Sequence, residues 1–197
     1  MRAVVLAAGV LLAALPLHAA DSLPDVIADQ ELYSQGKKVS TAKVYVSAGR
    51  VRSEMTVGGQ TMTTLLDRGA KKMWLVMPAV GCVEQPVTER SADVLGTMPA
   101  DATEELVGKE TIDGHPTEKY KVRATVAGRT SEHYQWRAKD LDGFPIRTAA
   151  VDGSYEQRFT KVELKTPDAK LFEKPPNCRP MPALGGPMPS GAKPKGR

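Results

Sequence analysis

The chain has 197 residues, of which 41% are hydrophobic, 25% charged and only 5% aromatic, with a formal net charge of +4. That excess sits at the two ends. Arg2 lies in the first stretch, and Arg179, Lys193, Lys195 and Arg197 close the sequence with no acid among them, so Asp21 to Cys178 holds 22 Lys and Arg against 23 Asp and Glu. A body this close to neutral has no basic footprint and excludes a nucleic-acid-binding reading.

Residues 1–20 read as a secretory signal peptide. Arg2 supplies a positive start, Ala3 to Leu15 is a small-apolar run too short to span a bilayer, and Pro16-Leu17-His18-Ala19-Ala20 offers a small-residue cleavage site. No cysteine follows that site, so no lipid attachment point is expected. The mature chain is expected to be periplasmic, soluble and at most peripheral to the membrane, because no later apolar run is long enough for a span.

Alternation of apolar and polar residues then dominates. Val51, Ser53, Met55 and Val57 share one parity against Arg50, Arg52, Glu54 and Thr56; Met73, Leu75 and Met77 alternate with Lys72, Trp74 and Val76. Tyr120, Val122 and Ala124 alternate with Lys119, Lys121 and Arg123, and Tyr134 and Trp136 with His133 and Gln135. Period-two patterning marks strands with one buried and one wetter face. Strands are expected near 26–34, 39–47, 50–57, 61–67, 71–77, 80–86, 104–112, 116–126, 130–138, 144–151 and 154–164. Glycine-bearing turns separate most of them, among them Gln35-Gly36, Ala48-Gly49, Gly58-Gly59, Asp113-Gly114, Ala127-Gly128 and Asp142-Gly143, as consecutive antiparallel hairpins require. Residues 88–102, rich in Ser, Thr and Asp, are expected to form a short helix or a lid-like loop. After Pro175 the composition turns to Pro, Gly and Met, so 177–197 is expected to be a disordered tail following a single β domain over 21–176.

Cys82 and Cys178 are the two cysteines. In an oxidising compartment they are expected to form one disulfide, stabilising by up to ~4–5 kcal/mol in the chain-entropy model. No C-x-x-C redox motif is present.

Several phrases carry a resemblance. Lys43-Val44-Tyr45-Val46 followed by Gly49-Arg50-Val51-Arg52-Ser53-Glu54-Met55, then Lys72-Met73-Trp74-Leu75-Val76-Met77-Pro78, Gly108 to Tyr120, Phe144-Pro145-Ile146-Arg147 and Asp168 to Pro175 resemble a group of exported bacterial proteins of unknown function. The match covers roughly residues 25–176. That group is similar in layout to the LolA/LolB superfamily of periplasmic lipoprotein carriers. The resemblance implies an incomplete, strongly curved antiparallel β-barrel with a short helical plug at its mouth, and a concave side that holds an acyl chain. Lipoprotein carriers are rich in buried aromatics, as this chain is not, and no residue here is identified with their cargo-gating arginine, Arg52 being the nearest analogue in strand position only.

On strand parity, Val51, Met55, Met62, Leu66, Met73, Leu75 and Met77 with Tyr120, Tyr134 and Trp136 are expected to line an apolar cavity. Adaptable methionine side chains suit a ligand of variable shape; an ordinary core in which methionine fills gaps is the alternative. Other chemistries are thinner. The methionines lack the clustered spacing of a copper site. His115, placed in a turn, and His133, placed mid-strand on the polar face, find no third zinc ligand. There is no G-x-S-x-G, H-E-x-x-H or P-loop, and Asp113, Asp142 and Asp152 precede glycine as turn formers. Arg50 and Arg52 either pair across strands or meet an anionic head group. The sequence thus reads as a monomeric, non-enzymatic carrier of an acyl chain, lipid or lipidated protein, with no cofactor and no metal. The other reading is an envelope scaffold protein with a filled core.

Overall fold

The computed structural model describes residues 23–87, 102–126 and 129–180. The expected segments at 1–20, 88–101, Ala127-Gly128 and 181–197 therefore lie outside the described residues. The described chain forms one curved, unclosed sheet of twelve strands: β1 (Val26–Ser34), β2 (Lys37–Ser47), β3 (Arg50–Val57), β4 (Gln60–Asp67), β5 (Lys72–Met77), β6 (Gly81–Pro86), β7 (Thr103–Ile112), β8 (His115–Val126), β9 (Arg129–Ala138), β10 (Phe144–Ala150), β11 (Tyr155–Leu164) and β12 (Arg179–Pro180). The eleven long strands fall within two residues of the positions read from alternation.

Two antiparallel meanders, β1 to β6 and β7 to β11, join where β1 pairs with β11, giving the order β12-β6-β5-β4-β3-β2-β1-β11-β10-β9-β8-β7. The β1–β2 and β2–β3 hairpins close on Gln35-Gly36 and Ala48-Gly49, where both residues of each pair have positive φ. That geometry matches the right-handed twist of the flanking strands, and the glycine accepts it without steric cost. The β12 strand runs parallel to β6. It lies within the segment 177–197 expected as a tail, next to Cys178, which is bonded to Cys82 of β6.

Helical structure among the described residues is limited to two 3₁₀ turns, Lys139–Leu141 and Ala169–Phe172. The main core gathers Val26, Val44, Val46, Val51, Leu66 and Phe144 with their neighbours on one face of the sheet. A smaller one, Leu65, Trp74 and Phe172, sits on the reverse face.

Candidate functional site

Register fixes which predicted residues meet. Val46, Val51, Leu66 and Met73 are successive partners across β2–β5, and Ala42, Met55 and Met62 are partners across β2–β4. Leu75 and Met77 share the parity of Met73, so all seven predicted residues of β3–β5 lie on one face. Within that face burial grades: Val51, Leu66 and Met73 belong to the core, whereas Met55, Met62, Leu75 and Met77 are half-buried. The result is a strip of flexible thioether and isobutyl groups beside a packed core.

From β1 onward the same face sets amides among its buried Val122, Phe144, Ile146 and Phe159. Ala42 faces Gln30, Leu32 faces Gln157, Gln157 faces Thr148, Thr148 faces Gln135 and Gln135 faces Tyr120. Gln30, Gln135 and Gln157 are all buried, Gln135 to 2% exposure. Tyr120 is therefore on the predicted face, between Leu106 and Gln135, with polar partners for its hydroxyl and ring. Its hydroxyl donates to Glu118 at 2.8 Å, and the Arg137 guanidinium lies 4.5 Å from its ring centre.

Tyr134 and Trp136 are not on this face. Because Tyr120 pairs with Gln135, its parity excludes both aromatics, which face Lys121 and Lys119 instead. His133, expected on the polar face, correspondingly turns to the core side opposite Val122, where burial pushes its imidazole below the usual histidine range. The expectation failed because β9 places its aromatics under cations. Trp136, only 4% exposed, has the Arg147 guanidinium 4.5 Å and the Lys119 ammonium 4.8 Å from its ring centre, and its indole N–H donates to Glu110. Long Lys and Arg stems cover an aromatic while their heads stay wet. Glu156 then bridges Arg147 at 2.7 Å and Arg158 at 2.5 Å. Burial opposes ionisation of Glu156, but the hydrogen bond from Arg158 and the Arg147 charge outweigh it, so its pKa falls.

On that reverse face the chain after β11 forms a strap over β3–β6. Asp168 accepts from the Lys170 N–H at 2.9 Å and starts the 3₁₀ turn; this sets Phe172 against Leu65 and Trp74. Arg52 donates to the Leu171 carbonyl at 3.0 Å, and Arg50 lies 4.9 Å from the Phe172 ring centre. Both arginines thus hold the strap, on the face opposite the methionine strip. Glu84 ties it further, accepting from Lys72 at 2.7 Å, Trp74 at 2.9 Å and Lys174 at 3.0 Å, which lowers its carboxyl to about 2. The Cys82–Cys178 disulfide closes the strap. Sequence reasoning found the disulfide and missed the strap, although Trp74 and Glu84 sit directly opposite one another in β5 and β6.

A recess of about 550 Å³ also opens on this charged side, lined by Asp29, Lys43, Lys161 and a group of threonines. Asp29 accepts from Lys43 at 3.0 Å and from Lys161 at 2.9 Å, a polar lining unsuited to hydrocarbon. Among the described residues no group of three or more His, Cys, Asp or Glu converges as metal ligands.

The sequence matches no protein-family model and no curated protein. Solved structures do match in shape. In the Pseudomonas aeruginosa MucA/MucB complex, a chain 15% identical superposes with a TM-score of 0.50 over 79% of this chain and 57% of its own length. The Mycobacterium tuberculosis lipoprotein LppX gives 0.48 at 16% identity, covering 77% of this chain and 92% of that one. A candidate outer membrane lipoprotein-sorting domain from Vibrio parahaemolyticus gives 0.41 at 13% identity over 78% and 92%. At these identities the likeness concerns the fold of the sheet alone.

Proposed function

We propose that this protein is a non-enzymatic carrier or binding protein of the bacterial periplasm, and that its ligand is an acyl chain, a lipid or a lipidated protein. The observation that carries the reading is the half-buried strip of Met55, Met62, Leu75 and Met77 on the core-bearing face of an open LolA-like sheet. An acyl chain laid on such a strip gains ~0.8 kcal/mol per buried CH₂ and needs no ionic anchor. Methionines re-pack around chains of different length and curvature. The Cys82–Cys178 disulfide fits an oxidising, extracytoplasmic compartment.

Native mass spectrometry of protein purified gently from the exported fraction, followed by organic extraction, tests the proposal. A co-purifying lipid or acylated peptide is expected. A clean apo mass, together with no shift in melting temperature on adding phospholipid or acyl peptide, would overturn it.

The second reading is an envelope interaction protein. It draws support from the similar chain of the MucA/MucB complex, a structure of two proteins bound together, and from the charged recess beside Asp29. In that case a partner protein, and no lipid, would be recovered.

A further inference from the structure

The methionine strip leads, along one line across the sheet, to a buried amide with an unused donor. From Met62 the line runs through Met55 and Ala42 to Gln30 of β1, and from the neighbouring Leu32 to Gln157 of β11. Four strand steps of about 4.8 Å separate Met62 from Gln157, or ~19 Å along the sheet. On β2 the side chains between are low, Ala42 and Ser40, while Gln30 and Leu32 stand beside them on β1. Gln157 is 5% exposed. Its Oε1 accepts from the Tyr155 hydroxyl at 2.8 Å, which orients the amide, and its Nε2 is buried with no hydrogen-bond partner. Nearby on the same face, the buried His133 Nε2 is likewise unpartnered. Burying such groups unpaired costs stability, so a position that a leucine could fill is given to an amide at a net loss to the fold alone.

The surroundings define what that donor can receive. Arg137, the cation nearest Gln135 on this face, is committed to Glu104 at 2.6 Å and to Gln135 at 2.6 Å. Glu118 accepts from Tyr120 and pairs with Lys109. The imidazole of His133 is held neutral by its burial. An anion brought beside Gln135 would lose hydration and find Arg137 already paired, whereas a neutral carbonyl needs only an N–H donor.

We propose that Gln157 Nε2 donates to the ester or amide carbonyl of an acyl compound whose hydrocarbon lies on Met55, Met62, Leu75 and Met77. The site would therefore select neutral acyl esters and amides over fatty carboxylates and phosphate-headed lipids. This rests on the acyl-binding reading above and adds to it a head-group class and the residue that reads it.

The test compares three long-chain probes of equal length on the chain purified from the exported fraction: a monoacylglycerol, its ether-linked analogue without the carbonyl, and the fatty carboxylate. The wild-type chain is expected to bind the ester about ten-fold more tightly than the ether, with the carboxylate weaker than the ester. In Gln157→Leu the ester is expected to fall to the level of the ether, while the ether is unchanged. Equal affinity for ester and ether in the wild type, a preference that survives Gln157→Leu, or a carboxylate that binds tighter than the ester would overturn the inference and leave the acyl reading standing. If Gln157→Leu does not fold, the ester–ether comparison on the wild type still decides. If no probe binds the wild type, the acyl reading itself fails.

Discussion

The two halves of the sheet bury their shared face by different means. Across β2–β5 it is aliphatic and thioether, and the reverse face is closed by a strap stitched with Arg52, Glu84 and a disulfide. Across β8–β11 it sets amides and Tyr120 among Val122, Phe144, Ile146 and Phe159, and the reverse face is closed by Lys and Arg stems lying on Tyr134 and Trp136. In the second half Phe144 and Phe159 share the core face with the amides, while Tyr134 and Trp136 lie on the reverse face. A uniformly apolar face would hold hydrocarbon anywhere. This one adds hydrogen-bonding amides to an apolar core in its second half, which the proposed carriage of an amphipathic molecule would use.

The largest effects should come from the packed core that both halves share. Phe144 is fully buried and meets Phe159 edge-to-face at 5.1 Å, so Phe144→Ala is expected to cost about 3–5 kcal/mol in urea unfolding. Next is the strap. Replacing both Cys82 and Cys178 by serine opens a loop with a sequence separation of 96 and should cost about 2–5 kcal/mol. Its signature should be fluorescence from Trp74, which the strap covers, with Trp136 in the other half unchanged. Equal changes at both tryptophans would mean that the halves are not separately closed.

Smaller effects separate the closures further. Arg52→Met keeps the stem and removes the bonds to Leu171 and Glu54, for an expected loss of about 1–2 kcal/mol. In the second half, Lys119→Met keeps most of the cover over Tyr134 and Trp136 and should cost only about 0.5–1 kcal/mol. Glu84 adds a pH dependence to the strap half. Its carboxyl is lowered to about 2 when folded, against about 4.3 unfolded, so below 4.3 the unfolded chain binds the extra proton and stability falls as pH drops toward 2. Glu84→Gln should flatten the melting temperature between pH 4 and 2; an unaltered slope would remove Glu84 from the account.

Strand positions and most hairpins were legible because alternation and Gly-containing turns report them directly. The strip on β3–β5 was legible for the same reason, as was the pairing of two lone cysteines. The reading broke at β9. There Tyr134 and Trp136 sit at the positions an apolar face would want, while cross-strand register, which no local pattern reveals, puts Gln135 and His133 inside. The glutamines were passed over because an amide in a strand ordinarily marks the wet side. The strap escaped because Leu171 and Phe172 lie in a short 3₁₀ turn whose docking depends on residues more than a hundred positions away.

The most direct test of the account is photo-crosslinking with a long-chain acyl probe bearing a terminal diazirine, followed by peptide mapping. Labelling that saturates and concentrates on Met55, Met62, Leu75 and Met77, and that an unlabelled acyl ester displaces, is the predicted result. Saturable labelling confined to the charged face around Asp29 and Lys161, or none that competitor displaces, would contradict it.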